Sequence, residues 1–172
     1  MRNRTVMIAA TIAAGLAAGQ ASASDTLVKF EGAVGVHPVA GNSAAGVATL
    51  VNTVRGIAPG GRPWGIQRLK ATIRRDGGIR VNGEGLVLAG SDAAGSRGPV
   101  RQVVATLFCG TSAGFTSPPA DLSVSGDFHI RGQLDGVVPS PCGDDTNPPT
   151  LLIRNFANGA AGAWFAAGIP GD

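Results

Sequence analysis

The chain has no tyrosine, two tryptophans, two histidines and two cysteines in 172 residues. Glu31 and Glu84 are its only glutamates, Lys29 and Lys70 its only lysines, and charged residues make up 15% of the whole. Each shortage narrows the chemistry. A zinc centre takes three or four convergent ligands, more than two histidines supply. Without tyrosine, the aromatic platforms on which single-stranded nucleic acid stacks are thin. So little charge beside 44% apolar residues excludes disorder driven by charge. Beyond the N-terminal segment no stretch approaches 18 uninterrupted apolar residues, so no membrane span is expected there.

Glycine is what the chain has in excess, 27 residues, with 11 prolines and no collagen period. The usual glycine share is about 7%, so this density reads as short strands broken by many turns. The N-terminus reads as a removable leader. Arg2 and Arg4 give a positive start, Val6 to Gly19 is uncharged and rich in alanine, and Ala21-Ser22-Ala23 is a small-x-small cleavage signal. Residues 1–23 are therefore expected to be a signal peptide, and residues 24–172 a single all-β domain starting at Ser24. No cysteine follows the apolar stretch, which argues against a lipid anchor. The expected location is extracellular or periplasmic. Twelve arginines against two lysines, with abundant alanine and glycine, suit a GC-rich bacterial genome.

Removing the leader lowers the formal charge from +3 to +1, so the basic balance is a weak argument for a nucleic-acid partner. Cys109 and Cys142 both fall in the exported part, where an even count argues for a disulfide. Closing a loop of about 34 residues stabilises by roughly 3 to 4 kcal/mol in the chain-entropy account.

Alternation dominates the mature chain and helical periodicity is scarce. Leu27 to Val36 places Phe30, Gly32, Val34 and Val36 on one face, and Pro38 ends the strand. Residues 44 to 54 fit a strand or a short helix, and the strand is preferred. In residues 66 to 88, Leu69, Ala71 and Ile73 face one way and Arg68, Lys70, Thr72 and Arg74 the other. Asp76-Gly77-Gly78 then turns a hairpin. Closing it at Arg75 and Ile79 sets Arg74 opposite Arg80 and Lys70 opposite Glu84, and the apolar run Leu86-Val87-Leu88 implies a bulge near Gly83 or Gly85 or a fully buried strand end. Val100 to Cys109 leaves almost no solvent face and is expected to be the central strand. A second hairpin is expected from Leu122 to Leu134, and the last strands at Leu151 to Ile153 and Ala163 to Ala167. About nine strands at this spacing indicate an antiparallel β-sandwich or barrel.

Several segments carry a resemblance: Phe30-Glu31-Gly32-Ala33-Val34-Gly35-Val36, Val54-Arg55-Gly56-Ile57-Ala58-Pro59-Gly60-Gly61-Arg62-Pro63-Trp64, Ala105-Thr106-Leu107-Phe108-Cys109-Gly110, Leu151-Leu152-Ile153-Arg154, and Ala163 to Pro170. Together with Gly126-Asp127-Phe128-His129-Ile130 they resemble a group of small uncharacterised secreted bacterial proteins, from which no activity transfers. Gly126 to Leu134 is also similar to the closing strand of the CHRD domain, although that domain's histidine-rich motif is absent here.

Groups suited to catalysis are few. His37 sits at a strand end, and His129 shares an outward face with Arg131 and Gln133. Ser96 lies in a loop with no strand leading into a nucleophile elbow. A carboxylate pair for glycoside hydrolysis would have to recruit Asp121, Asp127 or Asp135, which stand where turns want them. Gly143-Asp144-Asp145-Thr146-Asn147 lacks the spaced acidic ladder of a calcium loop. No catalytic, cofactor or metal residue is therefore assigned, and no cofactor is expected. Charge is segregated instead: residues 55 to 80 carry seven cations and one acid, a net of +6, while the rest of the mature chain is −5. Arg68, Lys70, Arg74 and Arg80 are the expected face for an anionic polymer or cell-surface component. A solvated sheet face that discourages edge aggregation is the plainer account of the same charges. The leading expectation is a secreted, non-catalytic binding module. The alternative is a small secreted hydrolase with a carboxylate site.

Overall fold

The computed structural model describes residues 25–42 and 48–171. The expected leader, residues 1–23, and part of the ambiguous stretch 44–54 lie outside the described residues. The strands in chain order are β1 (Thr26–Gly35), β2 (Val39–Asn42), β3 (Ala48–Val51), β4 (Trp64–Gly65), β5 (Arg68–Arg74), β6 (Gly78–Glu84) and β7 (Val87–Leu88). They continue with β8 (Gln102–Phe108), β9 (Phe115–Thr116), β10 (Ala120–Asp121), β11 (Phe128–Gln133), β12 (Thr150–Ala157) and β13 (Ala160–Pro170). No helix occurs among the described residues, and every strand pair is antiparallel. The expected all-β antiparallel class is what the chain adopts.

The main sheet runs β10-β8-β12-β13-β1-β5-β6-β11, with β9 beside β8; β2-β3 and β4-β7 form two small sheets. The large sheet curls around one apolar core that includes Phe30, Leu69, Ile73, Val81, Phe128 and Leu152. Its two end strands, β10 and β11, approach each other without pairing, so the barrel is half closed. Pro118 shows why. A Cβ added to Gly132 on β11 would meet the Pro118 ring at 2.8 Å, and neither Pro118 nor Pro119 has an N–H to offer a ladder. Beyond β11 the seam is tied by Asp135 N–H donating to the Thr116 carbonyl at 3.0 Å.

Five sequence expectations need correction. Val100 to Cys109 is not the central strand, because β8 lies second from the end of the sheet, next to β10. In the β5-β6 hairpin Ile73 lies opposite Ile79, Thr72 opposite Arg80 and Lys70 opposite Asn82. Arg74 is therefore not opposite Arg80, nor Lys70 opposite Glu84. The loop is Arg75-Asp76-Gly77, one residue earlier than expected. Gly77 takes φ +83°, and its N–H donates to the Arg74 carbonyl at 3.0 Å, a three-residue connection that wants glycine at its last position. A one-residue slip of the loop moves the register by two, so the faces survive while the partners change.

The segment 122–134 does not form a hairpin, because β11 pairs with β6 and β10 with β8. In β1, the register shifts between Phe30 and Ala33 where Gly32 takes φ +91°. That bulge sends Val34 outward, 55% exposed, while Phe30 and Val36 are fully buried. The last two strands are longer than expected because Asn158-Gly159, both at positive φ, turns them into one hairpin.

Candidate functional site

The outer face of β1, β5, β6 and β11 is a lattice of polar side chains set by register. One row across the strands reads Lys29, Thr72, Arg80, Arg131, and its neighbour reads Glu31, Lys70, Asn82, His129. Strands lie about 4.8 Å apart, so a row spans roughly 14 Å. Leu69, Ala71, Ile73, Ile79 and Val81 alternate with these residues and are buried, which points the polar set to solvent. Thr72, Arg74, Arg80, Arg131 and Gln133 line a shallow concavity of about 370 Å³ on this face.

The four expected cations divide into two kinds. Arg68 pairs with Glu84 at 2.7 Å, and Arg74 pairs with Asp76 at 2.6 Å and Asp25 at 3.2 Å. Lys70 and Arg80 make no ion pair among the described residues. The expected Arg74–Arg80 pair is not formed; Arg80 instead stands directly opposite Arg131 on β11. Sequence reading placed Arg131 outward beside His129 but could not join β11 to β6. Lys29 was missed, although its alternation with buried Phe30 was visible in the chain.

The other candidates have structural work. His129 Nδ1 and Asn82 Oδ1 are 2.9 Å apart across the strands. Ser96 Oγ donates to the Ala93 carbonyl at 2.9 Å and accepts from Gly98 N–H at 3.2 Å. Asp144 Oδ1 accepts from the amides of Thr146 and Asn147, at 2.9 and 2.7 Å, so it closes a turn. Asp135 accepts from Thr116 N–H. Among the described residues no three His, Cys, Asp or Glu side chains gather to hold a metal.

Asp121 and Asp127 do line one open cleft of about 610 Å³ at the seam, with Gln102, His129 and Arg131. Asp127 is unsuited to hold a proton there. Hydrogen bonds from Ser125 Oγ at 2.7 Å and Gly85 N–H at 3.1 Å hold its carboxyl below the usual aspartate value, outweighing a desolvation that pushes the other way. A general acid needs the opposite shift.

Cys109 and Cys142 form the expected disulfide, Cα atoms 4.5 Å apart. No helix among the described residues is long and apolar enough to cross a membrane. Comparison with protein-family models, curated proteins and solved structures returns no match for this chain.

Proposed function

We propose that the protein is an exported, non-catalytic β-sheet module that holds an anionic polymer against the outer face of β1, β5, β6 and β11. The observation that carries this reading is Arg80 opposite Arg131, with no acid in ion-pair contact with either among the described residues. Like charges directly opposite in a sheet cost stability. The carboxylates of Glu84, Asp25 and Asp76 lie on the same hairpin and strand but serve Arg68 and Arg74. An anionic group seated between the two guanidinium forks would relieve the repulsion and take bidentate hydrogen bonds. Lys29, in the same row, extends the positive track for a polymer rather than a single ion, while Lys70 lies in the next row opposite Glu31. Export rests on the leader pattern and on the disulfide, which suits an oxidising compartment.

The test is retention on immobilised heparin with Arg80→Gln plus Arg131→Gln. The double variant is expected to fold at least as stably as the parent and to elute at clearly lower salt. The contact should weaken steeply with ionic strength, because the Debye length is about 10 Å at 0.1 M. Arg68→Gln, which removes a cation already engaged, should shift elution less. Equal elution of parent and double variant would reduce this face to solvated surface.

A further inference from the structure

A third concavity lies away from that lattice, where β4 and β7 pair in their own small sheet. Trp64 is opposite Leu88 and Gly65 opposite Val87, and Ala89 N–H donates to the Pro63 carbonyl at 2.8 Å. Leu88 is held in turn by the loop that follows it: its N–H donates to Ser96 and its carbonyl accepts from Gly95, both at 2.9 Å. Beside these bonds lies an open concavity of about 410 Å³ lined by residues including Trp64, Leu88, Ala93, Val100 and Phe165, with Arg62 among them. That volume falls in the range of small-molecule sites, roughly 300 to 1,000 Å³.

The aromatic wall is a stacked pair. The Trp64 and Phe165 rings stack with centroids 4.1 Å apart and planes 22° apart. A Cβ on Gly60 would fall 2.9 Å from the Phe165 ring and 3.2 Å from Trp64 Nε1, so the backbone is pressed against the stack.

One charged group at the rim of this concavity, Arg62, has no partner among the described residues. Trp164, the other tryptophan, donates its indole N–H to the Asn52 carbonyl at 3.0 Å. Trp64 is 5% exposed as a residue, but its indole N–H is not among the buried unpaired polar atoms of the described residues. Arg62 is exposed and makes neither an ion pair nor a hydrogen bond among the described residues. An apolar, open concavity with an aromatic wall, and a guanidinium without a partner among the described residues at its rim, suits a small molecule with an apolar body and a single anionic group.

We propose that this cavity binds a small monocarboxylate, its apolar body against Trp64, Leu88 and Phe165 and its carboxylate on Arg62. Guanidinium is suited to that role because its fork matches both carboxylate oxygens. The site is independent of the polyanion face, since none of its residues belongs to the Lys29–Arg131 row.

The test uses octanoate and 1-octanol as probes in calorimetric titration of the mature chain. The parent is expected to bind octanoate saturably and 1-octanol more weakly. Arg62→Gln, at an exposed position, should weaken octanoate about tenfold and leave 1-octanol unchanged. Ala93→Leu, which fills part of the chamber, should weaken both, with unaltered thermal unfolding as the check on folding. Equal octanoate affinity in Arg62→Gln and the parent overturns the carboxylate assignment. Absence of saturable binding, or unchanged binding in Ala93→Leu, overturns the site itself.

Discussion

Strands β5, β6 and β11 bury one face, whereas β8 and β12 are covered on both. In β5 the exposed and buried residues alternate from Arg68 to Ile73, and β6 repeats the pattern from Ile79 to Glu84. In β8 every residue from Val103 to Phe108 is buried, as are Leu151, Leu152 and Ile153 on β12. The second cover is made of loops. Gly114 is pressed against Thr106 and Phe108, where an added Cβ would come within 2.5 and 2.8 Å. Arg55 donates to the carbonyls of Gly110 and Pro148, both at 2.9 Å, and Trp164 reaches Asn52. One half of the sheet therefore offers charge to solvent, and the other uses charge to pin its own cover. Arg154 is used within the sheet itself, on the neighbouring strand β13. Its guanidinium is spent on the carbonyls of Gly162 and Ala161, at 2.8 and 2.9 Å, and burial lowers its pKa.

If loops hold the covered half together, cutting their tether should separate the two halves. The disulfide joins the end of β8 to the loop before β12. Replacing Cys109 and Cys142 with alanine should destabilise by about 3 to 4 kcal/mol, the closure entropy of a loop this long. Urea unfolding measures the loss. Hydrogen exchange sharpens it: amides of β8 and β12 should lose protection before those of β5 and β6. Equal loss across both halves would mean that the cover and the open hairpin unfold as one unit.

The open half should break at a different kind of site. Gly83 on β6 sits opposite Phe128, and a Cβ there would lie 2.1 Å from the ring. Phe128 is 1% exposed, so the ring has little room to retreat. Gly83→Ala should destabilise by about 1 to 3 kcal/mol through overpacking, read as a lower urea midpoint. A neutral result would show that the open half repacks more freely than its burial suggests.

How much of this was legible follows from the same division. Strict alternation made the faces of β5 and β6 readable, and the unbroken apolar run made β8 readable as doubly covered. Register was not readable, because Asp76-Gly77-Gly78 allows two loop placements that leave every side chain on its own face. Only the hydrogen bond from Gly77 to Arg74 decides between them. The pairing of β11 with β6 was hidden as well. It joins residues almost fifty positions apart, and local patterning favoured a hairpin within 122–134 that the structure does not form. Arg80 and Arg131 are neighbours for that reason alone. The Asn158-Gly159 turn was legible in principle, since that dipeptide is a strong hairpin signal between apolar runs. The Trp64 cavity left no local trace, because its walls come from three separated segments.

The smallest effect tests how β6 is joined to β11. Asp127 accepts from Ser125 Oγ and from Gly85 N–H, so its carboxylate links the end of β6 to the turn that begins β11. Both bonds favour the ionised form, and the nearby His129 adds to them. The folded pKa therefore lies below the unfolded one, which for aspartate is about 3.9. By linkage, the stabilisation is fully present above that ordinary value and drains away as pH falls through the lower folded value. Thermal unfolding followed from neutral pH into that acid range should show a decline to which Asp127 contributes. In Asp127→Asn, which can still accept through its amide oxygen but does not titrate, the decline should be shallower and the neutral-pH stability slightly lower. Identical acid limbs in the two proteins would show that the link between β6 and β11 rests on the ladder from Gly78 to Gly83 and owes nothing to this carboxylate.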